Sequence, residues 1–80
     1  MEKDVKSNFI DLRGVACPMN FVKAKLKMEM MDIGEILELI LDDGRPVENV
    51  TASFKYEGQE IMEMIKVDTD YWSIKIVKKC

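Results

Sequence analysis

Phe9-Ile10-Asp11-Leu12-Arg13-Gly14-Val15-Ala16-Cys17-Pro18 carries the chain from a short strand-like run, through one glycine, into a long helical pattern. A cysteine at such a junction meets the unpaired backbone N–H groups and the positive end of the helix dipole, which favour thiolate over thiol. Pro18 fits the first helical position, where a missing N–H costs nothing and φ is already near its helical value. This reading makes Cys17 the N-cap of the first helix and the candidate reactive residue. The bland alternative is a cysteine that simply packs as a small apolar side chain.

Outward from this junction, punctuation and periodicity divide the chain into six elements. Residues 8–13 read as a strand and 18–31 as a helix, with Gly34 as a nearby stop signal. Residues 35–41, Glu-Ile-Leu-Glu-Leu-Ile-Leu, carry apolar groups on both alternating faces, as a strand in the middle of a covered sheet does, although composition alone reads equally as helix. Asp42-Asp43-Gly44 breaks that run, and Pro46 opens a second helix with Val47, Val50 and Phe54 in one stripe before Gly58. Residues 60–67 and 71–78, separated by Asp68-Thr69-Asp70, read as a terminal hairpin with Trp72, Ile74 and Ile76 at period two. The order β-α-β-α-β-β with right-handed crossovers predicts a single α+β domain over residues 1–80. It is a two-layer α/β sandwich, a four-stranded mixed sheet with both helices on one face. The other face then stays open, leaving Tyr71, Ser73 and Lys75 solvated or available to a partner.

Composition removes whole classes of function. Eighty residues bury roughly 60–65% of the surface of their unfolded chain, too little for a large enclosed catalytic cavity. A net charge of −3 argues against a phosphate-binding footprint, so no direct nucleic-acid partner is expected. No run approaches the ~18 apolar residues of a membrane span, and the charged start Met1-Glu2-Lys3-Asp4 has no secretory apolar core behind it. The expectation is a cytoplasmic protein without membrane partners. With no histidine there is no Cys-His dyad, Ser-His-Asp triad or His-ligated metal site, and no glycine-rich phosphate loop appears. Cys17 and Cys80 form neither a C-x-x-C pair nor a disulfide framework, and in a reducing compartment both are free thiols. No cofactor and no metal are expected.

The segment Asp11-Leu12-Arg13-Gly14-Val15-Ala16-Cys17-Pro18 resembles the N-terminal signature of the TusA/SirA-like sulfur-carrier family. The resemblance extends to Gly34-Glu35 opening the second strand, to the Asp42-Asp43 break, and to Lys55-Tyr56-Glu57-Gly58 closing the second helix. It implies a two-layer α/β sandwich in which Cys17 accepts sulfane sulfur as a persulfide from a cysteine desulfurase or rhodanese-like donor and passes it to a sulfur-acceptor protein. Acceptor pathways in the family include tRNA thiolation, molybdenum-enzyme maturation and sulfur oxidation. Carried onto this chain, the motif assigns Asp11, Arg13, Gly14 and Pro18 to the turn around the thiolate. Arg13, Lys23 and Lys25 are candidates for adding positive potential there, the alternative being a solvated basic helix face.

Where the family usually reads Cys-Pro-x-Pro, this chain has Asn20 in place of the second proline. With Cys17 as N-cap, Asn20 brings a backbone N–H able to point back at the thiolate, a donor that proline lacks. The first helix also carries two apolar stripes: Phe21, Ala24, Met28 and Met31 on one face, and Met19, Val22, Leu26 and Met30 on another. Only one faces the sheet squarely. The second is either the edge of a wide buried arc or an adaptable surface on which Met19, Val22 and Leu26 meet partners. Two further functions remain open: a non-catalytic regulatory or protein-binding module, and a thiol redox protein in which Cys80 resolves an oxidised Cys17.

Overall fold

The computed structural model describes residues 8–80, and the charged start Met1-Glu2-Lys3-Asp4 lies outside the described residues. Six elements follow in the predicted order: β1 (Phe9–Asp11), α1 (Met19–Glu29), β2 (Ile36–Asp42), α2 (Arg45–Tyr56), β3 (Glu60–Lys66) and β4 (Tyr71–Val77). They form one mixed sheet in the order β1-β2-β4-β3, with β1 parallel to β2 and both other pairings antiparallel. The parallel pair needs a crossover, which α1 supplies, and the four residues between β3 and β4, Val67–Asp70, close a hairpin.

Period two in β2 sends Leu37, Leu39 and Leu41 inward, where all are fully buried, and they meet Ile74 and Ile76 of β4 on the same face. The helices close that face. Ala24 and Met28 come from α1, Met31 from the turn just beyond it, and Val47, Val50 and Phe54 from α2. An edge-to-face contact of Phe21 on Phe54, with centroids 5.0 Å apart, joins the two helices over one side of the sheet. Thr51, buried in α2, donates its hydroxyl to the Val47 carbonyl at 2.8 Å, so it enters the core with its polar group satisfied.

The apolar residues of β2 on the other face do not signify a sheet covered on both sides. Ile36 is 40% exposed and Ile40 half-buried, because that face carries no helix. Its polar groups pair among themselves instead. Ser73 donates to Glu38 at 3.0 Å, Lys75 lies 3.3 Å from Glu63, and the Arg13 guanidinium sits 4.6 Å over the Tyr71 ring. Tyr71, Ser73 and Lys75 are therefore half-buried rather than freely solvated.

Strand directions define two ends. β1 and β2 both run toward the end where α1 and α2 begin, and the register Asp42↔Tyr71 puts the start of β4 there too. Opposite lie the C-terminal ends of both helices and, through Ile36↔Val77, the end of β4. Among the described residues no helix is long and apolar enough to cross a membrane.

Candidate functional site

Cys17 is exposed on the loop between β1 and α1, at the end where both helices start. Three predicted residues build the turn that leads to it. The Asp11 carboxylate accepts the Arg13 backbone N–H at 3.1 Å and grips the guanidinium through Nε at 3.0 Å and Nη2 at 2.7 Å. Hydrogen bonds from the Arg13 side chain, then its backbone N–H, hold the Asp11 carboxyl below the usual carboxylate range, and Asp11 in turn raises the Arg13 pKa. Gly14 follows at φ +79°, a left-handed conformation that a side chain disfavours, and donates its N–H to Asp42 at 2.7 Å. That bond ties the thiol loop to the end of β2.

The cap differs from the expectation. Pro18, not Cys17, is the N-cap, α1 begins at Met19, and the helix has no side-chain cap. The Cys17–Pro18 peptide is cis. The Asn20 N–H does not point at the thiol, because the preceding turn places the Ala16 carbonyl 3.1 Å from it. The next donor, Phe21 N–H, is taken at 2.6 Å by the Asn20 side-chain oxygen, and Val22 N–H by the Pro18 carbonyl at 3.0 Å. Asn20 is fully buried, and its Nδ2 has no hydrogen-bond partner among the described residues. It is part of the packing beneath the loop rather than a donor to Cys17.

Arg13 is likewise committed elsewhere, clamped by Asp11 and stacked on Tyr71. Lys25 pairs with Glu57 at 3.0 Å, facing α2. Lys23 is exposed on the outer side of α1. The second stripe is solvent-facing: Met19 is 49% exposed, Val22 38%, Leu26 58% and Met30 87%. It is not the edge of a buried arc.

Three residues of this end were read in the sequence only as a strand break and an open-face position, not as supports of the thiol loop. Asp42 anchors Gly14, Tyr71 underlies Arg13, and Asp43 accepts the Trp72 indole N–H at 2.7 Å with Lys66 3.8 Å away. The indole hydrogen bond first, then the Lys66 charge, holds Asp43 below the usual carboxylate range. The Asp42-Asp43 pair carried a signal, since two carboxylates at a strand end serve as acceptors for neighbouring loops.

Cys80 is also exposed, but at the far end. Its thiol lies 3.5 Å from the Glu57 carbonyl and lines a groove of about 190 Å³ with Lys25, Met28 and Phe54. β4 alone separates the two ends by about 20 Å at ~3.3 Å per residue, whereas a disulfide needs Cα atoms within ~7 Å. The folded domain does not bring the two cysteines together.

A loop-borne exposed cysteine ahead of a helix, on a one-sided β-α-β-α-β-β sheet, defines a small α+β domain that presents a free thiol at one end. Comparison with known proteins narrows that class. The family model described as Sulfurtransferase TusA matches residues 8–78, and the chain belongs to this family of sulfur carriers. An Archaeoglobus fulgidus protein, provisionally named a sulfur carrier protein, is 44% identical over 70 residues, covering 88% of this chain and 80% of its own. A Thermotoga maritima protein with the same provisional name is 33% identical over 79 residues, 99% of this chain and 100% of its own. Sulfur carrier protein TusA of Allochromatium vinosum is 33% identical over 54 residues, 68% of this chain and 71% of its own.

Proposed function

We propose that the protein is a persulfide relay: Cys17 accepts sulfane sulfur from a cysteine desulfurase or rhodanese-like donor and hands it to an acceptor protein. The observation that carries this reading is the exposure of Cys17 on a turn fixed by Asp11, Arg13, Gly14 and Asp42, within the family motif. A carrier needs a sulfur that two successive proteins can reach, and it needs a rigid mount rather than a pocket. In the first step the Cys17 thiolate attacks the outer sulfur of the donor persulfide. The new S–S bond forms as the donor's own S–S bond breaks, and the donor cysteine leaves as thiolate. In the second step an acceptor thiolate attacks the outer sulfur on Cys17, which leaves as thiolate. Sulfur changes owner twice, and neither step needs an external oxidant or reductant. Two free thiols suit the reducing cytoplasm, where we place the protein.

The separation of Cys17 from Cys80 weighs against an intramolecular redox pair. The test is incubation with a cysteine desulfurase and cysteine, read by intact mass. Wild type and Cys80→Ser gain one sulfur, and Cys17→Ala, with an unchanged melting temperature, gains none. Equal loading of Cys17→Ala overturns the assignment.

A further inference from the structure

Helix α1 presents to solvent, directly opposite its core face, a continuous apolar ridge: Met19, Val22, Leu26 and Met30, continued past the helix end by Ile33, which is 69% exposed. A ridge that served only to shield the thiol would be most exposed beside Cys17 and fade along the helix. Exposure does not fade: it is 49% at Met19, 38% at Val22, 58% at Leu26 and 87% at Met30, about 16 Å beyond Met19 at ~1.5 Å per residue. An apolar stripe this long on one helix is normally covered.

The charges bordering the ridge say by what. At 100° per residue, Lys23 and Lys27 fall along one border, and Lys25 and Glu29 along the other. Lys25 is paired with Glu57, so that border is closed by α2. Among the described residues neither Lys23 nor Lys27 joins an ion pair, in a chain whose net charge is −3. A second copy is a poor match. Antiparallel two-fold packing sets like borders together and brings four lysines into one row, and parallel packing offers Lys23 and Lys27 one carboxylate, Glu29, beyond the Glu57 that Lys25 already holds.

Building on the relay reading above, we propose that this ridge is the docking surface for the sulfur-donating protein, which meets it with an apolar groove whose rim carries carboxylates opposite Lys23 and Lys27. Methionines at both ends give the ridge the adaptability such a contact uses. The lysines steer the encounter and set its register, and the apolar residues supply the affinity.

The experiment compares two sulfur sources on the full chain: a cysteine desulfurase with cysteine, and glutathione persulfide, which needs no docking. Met30→Asp, remote from the thiol, lowers the desulfurase-driven rate roughly tenfold while loading by glutathione persulfide stays within about twofold and the melting temperature holds. Lys23→Glu combined with Lys27→Glu lowers the desulfurase-driven rate and flattens its dependence on ionic strength. A desulfurase rate unchanged in Met30→Asp overturns the proposal, as does a desulfurase that loads wild type no faster than the free persulfide does. A wild-type dimer in sedimentation velocity that Met30→Asp dissociates also overturns it, in favour of a second copy. Failure of Cys17 to load from either source instead removes the relay reading itself.

Discussion

Asn20 stands where the family usually carries proline, and among the described residues its amide is a buried polar group without full satisfaction. Its oxygen accepts Phe21 N–H, which fixes the orientation of the amide and leaves Nδ2 unpartnered among the described residues. An unsatisfied buried donor costs about 1–3 kcal/mol. Asn20→Leu keeps the branched shape and removes the donor, so it raises stability by on the order of 1 kcal/mol in urea denaturation after loss of the Phe21 bond. A decrease would show that Nδ2 is satisfied in solution. At this scale the sequence placed Cys17 ahead of the first helix and misjudged its cap. The position of Cys17 follows from a local pattern, strand run, glycine, cysteine, proline. The identity of the cap turns on where the Ala16 carbonyl lies, a backbone detail that residue types at this spacing leave undetermined. The Asp11–Arg13 clamp is local and was partly legible, whereas the Asp42–Gly14 bond joins loops far apart in sequence and was not.

Helix α1 is two surfaces on one rod. Met28 is 2% exposed against the sheet and Leu26, two residues earlier, is 58% exposed on the opposite side. Met28→Ala therefore costs about 2–5 kcal/mol through lost burial and a cavity, and Leu26→Ala stays within about 0.5 kcal/mol of wild type. Comparable losses from the two substitutions, measured by thermal and urea unfolding, would contradict the assignment of the faces. All six elements were legible because turn residues such as Gly34, Gly44 and Gly58 interrupt clear periodicities. Ends shifted by one or two residues, with β1 shortened to Phe9–Asp11 and α1 to Met19–Glu29. The two stripes were visible as a pattern. Which of them the core takes was not, since that choice depends on the angle at which α1 meets α2 through Phe21 and Phe54.

The molecule as a whole is polarised. One end gathers the thiol loop, both helix starts and the beginning of β4, and the other holds Cys80 beside Glu57. Both thiols are exposed, so accessibility alone does not distinguish them. What distinguishes Cys17 is its mount ahead of α1 in the family motif, on a turn clamped by Asp11 and Asp42. The most direct measurement is an internal competition in wild type, with both cysteines present. The protein is treated with less than one equivalent of glutathione persulfide, excess thiol is blocked, and the peptides containing Cys17 and Cys80 are compared by mass. The account predicts that the added sulfur resides on Cys17. Sulfur shared equally between the two, or found mainly on Cys80, would contradict it.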